Sequence, residues 1–105
     1  LGKLALEEET RGVTEMMPRF NRSLRPMKKL RELMAALYRL GRREGQREKI
    51  SAHWFVWRLL RRPKGTQLPQ YIRDDLRARW PEVKYAVINA RLRCVRRALT
   101  NFLLK

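Results

Sequence analysis

Apolar residues recur every three to four positions over four stretches of the chain, which is the spacing of an amphipathic helix with one buried face. No stretch shows the strict apolar–polar alternation that is typical of a half-buried strand. The pattern predicts four helices, near residues 25–43, 51–62, 69–80 and 82–103. We therefore expect an all-α fold, a small helical bundle with short connections and an N-terminal arm.

The first predicted helix carries its large apolar residues on one stripe, which we expect to be buried. The stripe consists of Met27, Leu30, Leu33, Met34, Leu37 and Tyr38. Pro26 suits the first turn of the helix, where a backbone N–H has no helical partner. Gly41 weakens the helix locally, so the helix is predicted to end between Gly41 and Gln46.

The second predicted helix follows Ser51, a good N-cap, and it is apolar around most of its circumference, so it should be the most buried element. Pro69 and Pro81 open the third and fourth helices. The fourth helix is expected to bury a stripe of Val83, Val87, Ala90, Cys94, Ala98 and Phe102, which Ala86, Val95 and Leu99 widen. Six large side chains from these helices should be largely buried: Trp54, Trp57, Leu60, Ile72, Val87 and Phe102.

The N-terminal segment differs from the rest of the chain in charge. Residues 1–18 contain four Glu against two basic residues, whereas the whole chain carries a formal net charge of +16. We predict that residues 1–22 form an arm or a short helix, ended by Pro18, that packs on another chain. Residues 23–105 should then fold as the basic helical bundle domain.

The whole chain is strongly basic, with 26 Lys and Arg against 10 Asp and Glu in 105 residues. This charge is typical of a nucleic-acid-binding protein, and an anionic membrane surface or an acidic protein is the next alternative. Arg outnumbers Lys, and guanidinium groups bind phosphate in bidentate fashion. Hydrophobic residues make up 44% of the chain, too many for a disordered basic tail. No apolar run is long enough to span a membrane.

Residues suited to catalysis or metal binding are few. His53 is the only histidine and Cys94 the only cysteine, so we expect no zinc site, no disulfide, no cofactor and no enzymatic activity. We interpret His53 as a packed or capping residue and Cys94 as a small core residue. Adjacent Asp74 and Asp75 point about 100° apart on a helix, so we expect surface ion pairs with arginines of their own helix.

Arginine-rich helix faces are the strongest functional signal in the sequence. Residues 83–105 contain no Asp or Glu, whereas a face that is merely solvated normally carries interspersed Glu. Arg93, Arg96 and Arg97 share one face and can contact a phosphate backbone, which releases counterions. The expected nucleic-acid-binding residues are Lys84, Arg91, Arg93, Arg96 and Arg97 in the fourth helix, Arg58, Arg61, Arg62 and Lys64 after the second, and Arg42 and Arg43 in the first.

The segment "ALYRLGRRE", residues 36–44, resembles the motif of the mitochondrial LYR-motif family of small basic helical proteins. The later segment "YIRDDLRARW" is similar to that family's Ile-Arg-Asp-x-Phe-Arg segment, with Leu76 in the place of Phe, and "INARLRCVRRAL" is similar to its third helix. The resemblance covers roughly residues 33–100. This chain departs from the family in having Arg42 where a Leu is expected and a longer connection between the first two segments.

The resemblance implies a mitochondrial protein that binds acyl carrier protein, whose acidic helix would meet the basic face while its acyl chain enters the bundle. The residues that correspond to the motif and its basic surface are Leu37, Tyr38, Arg39 and Arg43. Core packing is the alternative interpretation of Leu37 and Tyr38, with Arg39 at the edge of the core.

Three functional hypotheses follow. The leading one is a non-catalytic RNA-binding structural subunit of a large ribonucleoprotein, a mitochondrial ribosome, that docks on rRNA beside neighbouring protein subunits. The second is an LYR-type accessory or assembly subunit that binds acyl carrier protein in a mitochondrial complex. The third is a DNA-binding protein, because "GTQLPQYIRDDLRARW" before a basic helix has the spacing of a helix-turn-helix. The chain begins with Leu1, so one interpretation is a processed product without its targeting segment.

Overall fold

The computed structural model consists of five α-helices joined by short connections. The helices are α1 (Gly2–Ser23), α2 (Lys28–Glu48), α3 (Ala52–Leu60), α4 (Gln70–Arg79) and α5 (Tyr85–Leu103). The structure describes the backbone of residues 2–105 and the side chains of residues 11–105. This part of the chain contains no strand, so the predicted all-α class is confirmed, and α2 to α5 correspond to the four predicted helices.

The core lies around α2 and α3, which pack on each other along much of their length. α1 packs against α3, and α5 packs against both α2 and α3. α4 joins the core through Ile72 and Leu76, which are fully buried. The largest fully buried side chains come from all five helices and the α1–α2 connection: Met17, Phe20, Leu24, Leu33, Met34, Leu37, Leu40, Phe55, Ile72, Leu76, Ile88 and Leu99.

α1 continues through Pro18, so the prediction that Pro18 ends this segment is wrong. A proline in a helix interior costs about 3 kcal/mol relative to Ala. Val13, Met17 and Phe20 are buried on the same helix, and burying one large apolar side chain contributes about 1.5–3 kcal/mol. The three buried side chains together therefore offset the proline. Contact of residues 1–22 with another chain stays a prediction, and the side chains of residues 1–10 lie outside the described part.

α2 extends to Glu48, two residues beyond the predicted range for its end, because its glycines allow a close approach of the following chain. A Cβ atom on Gly45 would lie 2.6 Å from the carbonyl oxygen of Ile50. Lys49 ends the helix in the left-handed conformation, with φ of 59°, and the Ile50 N–H donates to the Gly45 carbonyl at 2.9 Å. The chain therefore reverses tightly into α3, where Ser51 Oγ accepts a hydrogen bond from the Trp54 N–H, as predicted for an N-cap.

We expect Gly45→Ala to lower the free energy of unfolding by about 1–3 kcal/mol, because the backbone at Ile50 must move to admit a Cβ atom. Gly12→Ala is a matched control, since no other atom lies within 4 Å of the position of its Cβ. Ala favours a helix over Gly by about 0.8–1 kcal/mol, so the control should be slightly stabilised. Urea denaturation measures both, and a Gly45→Ala variant as stable as the wild type would contradict the tight turn.

α5 buries a face that matches the predicted one only in part, because Val95 and Leu99 were expected to be buried whereas Ile88 and Leu92 were not. Its buried residues are Ile88, Leu92, Val95 and Leu99. Val87 is 42% exposed and Cys94 is exposed, so the expectation that these two lie in the core is wrong. The buried stripe is shifted by one position, about 100° around the helix. That rotation buries Ile and Leu in place of Ala and Cys, which removes more apolar surface from water.

The other expected core residues are confirmed in different degrees. Leu60 and Ile72 are buried, whereas Trp54, Trp57 and Phe102 are partly buried and pack against the core. On α2, four of the six predicted stripe residues are buried, Leu30 is partly buried, and Met27 is exposed. No helix among the described residues has the length and apolar character needed to cross a membrane.

Candidate nucleic-acid interface

A groove of about 960 Å³ lies between the α3–α4 connection, α4 and α5. Its inner side is apolar and consists mostly of the leucines Leu37, Leu59, Leu60, Leu68 and Leu92. Six basic residues line the same groove: Arg62, Lys64, Arg73, Arg93, Arg96 and Arg97. No Asp or Glu is among the lining residues. We call this feature the cationic groove.

Two helices and one connection position the basic side chains. Arg93 and Arg97 lie one turn apart on α5 and are exposed, and Arg73 projects from α4. Arg62 and Lys64 belong to the α3–α4 connection, which turns at Gly65. Gly65 has φ of 86°, a left-handed conformation that glycine adopts without the steric cost of a Cβ atom. The glycine thus lets the connection bring its own basic residues to the same groove.

Arg96 differs from its neighbours because it makes two hydrogen bonds to the end of α3. Its Nε donates to the Leu60 carbonyl at 3.1 Å, and its Nη2 donates to the Arg62 carbonyl. The last carbonyls of a helix have no helical partner, so these bonds satisfy groups that would otherwise need water. Arg96 therefore holds the α3–α4 connection against α5, in addition to adding its charge to the groove.

Two other guanidinium groups in the groove keep unused donors. The Nε atoms of Arg62 and Arg73 are buried and have no hydrogen-bond partner. Arg73 donates from its Nη2 to Gln70 Oε1 at 2.6 Å, which leaves its Nε unpaired. A buried donor without an acceptor costs about 1–3 kcal/mol, so an acceptor that reaches these atoms would be bound favourably.

The carboxylates that form ion pairs are absent from the lining of the cationic groove and lie on α2 and α4. The pairs are Arg39–Asp75 (3.0 Å), Arg43–Asp75 (3.9 Å), Arg43–Glu44 (3.2 Å), Arg47–Glu44 (3.6 Å) and Arg58–Glu48 (2.5 Å). We call this surface the ion-paired face. Within residues 11–105, none of the six basic residues of the groove forms an ion pair with a carboxylate. This separation leaves the positive potential of the groove uncompensated.

The ion-paired face changes the interpretation of several residues. Arg43 and Arg58, expected to bind nucleic acid, have Asp75 and Glu48 as carboxylate partners. The expectation that Asp75 pairs with arginines of its own helix is wrong, because its partners are on α2. Asp74 accepts a hydrogen bond from Gln70 Nε2 at 2.7 Å. Within residues 11–105, Arg73 therefore forms no ion pair with its two acidic neighbours in the sequence, and it lines the groove.

The remaining basic residues of the predicted interface lie outside the groove. Arg42 is exposed on α2, and Lys84 is the exposed N-cap of α5. Arg91 is half-buried, and Arg61 lies over the Trp57 ring at 5.4 Å from its centre. Contact of these residues with nucleic acid stays a prediction.

The "LYR" segment contributes to the core. Leu37 is fully buried and Tyr38 is buried, with burial raising the pKa of Tyr38 to about 12. The Tyr38 hydroxyl lies 3.3 Å from His53 Nδ1, and the two rings meet edge to face, so His53 is a packed residue as predicted. Arg39 is exposed and pairs with Asp75. Binding of acyl carrier protein to this segment stays a prediction.

No chemistry-bearing cluster accompanies the groove. Among the described side chains, no group of three or more His, Cys, Asp or Glu could hold a metal ion.

Comparisons with family models, curated proteins and solved structures gave no match to the chain. The charge and the shape of the groove are therefore the features that indicate a function.

Proposed function

We propose that the protein is a non-catalytic RNA-binding structural subunit of a large ribonucleoprotein, and that it docks on rRNA through the cationic groove. One observation carries this proposal: six basic side chains line one groove and none of them has a carboxylate partner. A chain with a net charge of +16 repels itself, and phosphates in the groove would neutralise that charge where it is concentrated.

The shape of the charged surface favours a nucleic acid over a membrane. An anionic bilayer is flat and would meet exposed basic residues on a broad surface. Here Arg62, Arg73 and Arg96 are half-buried in a concave site, and only three of the six lining residues are exposed. Five of the six are arginines, which bind phosphate in bidentate fashion.

The outward face of α5 favours RNA over a helix-turn-helix contact with duplex DNA. A recognition helix reads base edges with polar side chains that project into the major groove. The exposed residues of α5 include the apolar or nearly apolar Ala86, Val87 and Cys94 beside Arg93 and Arg97. Three of the six basic residues of the groove, Arg62, Lys64 and Arg73, lie on other elements and would not enter a major groove together with α5.

We expect the wild-type protein to bind RNA with an affinity that falls steeply as salt is added. Each neutralised phosphate contributes roughly 0.7 to 0.9 to the slope of log K against log salt concentration, so six basic residues predict a slope of roughly −4 to −5. Fluorescence anisotropy of a labelled RNA over a KCl series measures this slope. Absence of binding at every salt concentration, or binding that does not change with salt, would contradict the proposal.

Purification from the native source tests whether the protein is part of an assembly that contains RNA. The proposal predicts that rRNA and other ribosomal subunits copurify with the protein, and mitochondrial rRNA is the form expected from the sequence. Acyl carrier protein in the purified material, without RNA, would instead support the LYR-type accessory subunit.

A further inference from the structure

The cationic groove combines charge with a buried apolar surface, which a site for phosphate alone does not need. Leu37, Leu59 and Leu60 are buried core residues that also line it, so the groove reaches the hydrophobic core. A ligand that fills the site must therefore carry an anion and an apolar face close together. A nucleotide does so, because its base offers two flat apolar faces and its phosphate offers the charge.

The groove is large enough to enclose a chemical group such as a nucleotide base, whereas contact with a phosphate backbone alone does not need such a volume. Its volume of about 960 Å³ is at the upper end of the roughly 300–1,000 Å³ that ligand pockets occupy. In an RNA duplex the bases are stacked inside the helix and only their edges are accessible, in a shallow minor groove. The faces of the bases can reach the leucines only where the strand is unpaired.

A tyrosine and an arginine form flat surfaces inside the groove. Tyr85, in the first turn of α5, lines the groove and is half-buried. Arg73 lies close enough for its charge to lower the pKa of Tyr85, although burial raises that pKa by more. Unpaired bases stack on aromatic rings and on guanidinium planes. Asn89, one turn after Tyr85, adds an amide that can donate to and accept from a base edge.

Two N–H donors without a hydrogen-bond partner belong to arginines of the groove. The Nε atoms of Arg62 and Arg73, two of the arginines that line the groove, are buried and have no hydrogen-bond partner. A nucleotide in the groove brings phosphate, ribose and base oxygens close to these two arginines, and those oxygens can accept hydrogen bonds from guanidinium groups.

We propose that the cationic groove takes up an unpaired nucleotide, so that the protein recognises single-stranded RNA such as a loop, a bulge or a strand end rather than a duplex. This inference rests on the proposed function and specifies the class of RNA that the same site binds. The leucines and Tyr85 contact the base, and the arginines bind the adjoining phosphates.

The test compares a labelled single-stranded RNA that does not pair with itself and a blunt duplex of the same length, at one salt concentration. Stacking of one base contributes about 1–3 kcal/mol, so we expect the single strand to bind about ten-fold more tightly or better. Equal affinity for the two RNAs would overturn the inference and leave the proposed function standing. Absence of binding to both RNAs would instead remove the proposed function.

Substitutions of two tyrosines test whether the preference for single-stranded RNA arises in the groove. Tyr85→Ala should weaken single-strand binding about ten-fold and leave duplex binding unchanged, because only the stacking surface is lost. Tyr85→Phe keeps the ring and should bind like the wild type. Tyr71→Ala is the matched control, since Tyr71 is 46% exposed on α4 and does not line the groove. Equal losses for Tyr85→Ala and Tyr71→Ala, or a Tyr85→Phe variant as weak as Tyr85→Ala, would overturn the inference.

Discussion

Phe20→Ala should lower the free energy of unfolding by about 3–5 kcal/mol, a large part of the 5–15 kcal/mol that is typical of a small domain. Phe20 is fully buried in α1, and its ring meets that of Phe102 edge to face with 5.5 Å between the ring centres. The substitution removes the burial of a whole ring, leaves a cavity, and loses the contact between the α1 and α5 rings. Chemical denaturation followed by circular dichroism measures the loss.

Val87→Ala is the control for this experiment, because Val87 is 42% exposed on α5. We expect its unfolding free energy to stay within about 0.5 kcal/mol of the wild type. A Phe20→Ala variant as stable as Val87→Ala would show that α1 contributes nothing to the core. The two variants together test whether Phe20 of α1 is packed in the core and whether Val87 of α5 lies outside it.

Helix periodicity predicted α2 to α5, but it could not predict how α1 packs. Residues 1–18 are rich in Glu and contain Pro18, and both features favour an arm over a core helix. The structure packs α1 against α3, which lies far along the chain, and buries Val13, Met17 and Phe20. A contact between distant elements of this kind has no signature in the local pattern.

The buried face of α5 was ambiguous for a different reason. Two stripes of apolar residues run along this helix, one through Val87 and Cys94 and the other through Ile88 and Val95. Both have helical spacing, so periodicity alone does not distinguish them. The residues of the second stripe are larger on average, and the area that they remove from water decides which face is buried.

The candidate site could be predicted in part. The absence of acidic residues after Val83 pointed correctly to exposed basic residues on α5, namely Arg93 and Arg97. Arg96 was expected on the same surface, but its bonds to the end of α3 depend on the packing of α5. Arg73 was missed because its acidic neighbours in the sequence were expected to offset it. Asp75 points instead to α2, a contact that only the folded chain shows.

Replacing four arginines of the cationic groove by neutral residues should have the largest effect on RNA binding. Replacing Arg62, Arg73, Arg93 and Arg97 by Gln removes four positive charges that have no carboxylate partner. Each lost phosphate contact reduces the salt slope by roughly 0.7 to 0.9, so the slope should flatten by about three units. Gln and Arg have similar helix propensities, so helicity measured by circular dichroism should be retained. Arg96 is left in place because it holds the end of α3.

The matched control is a second four-fold variant on the ion-paired face, in which Arg39, Arg43, Arg47 and Arg58 are replaced by Gln. It loses the same net charge, but each of these arginines already has a carboxylate partner. The slope of log K against log salt concentration, measured side by side for both variants with the same RNA, is the most direct test of the cationic groove. We predict a slope about three units flatter for the groove variant and close to that of the wild type for the control. Equal slopes in the two variants would show that net charge alone governs binding, and would contradict the groove as the site of RNA contact.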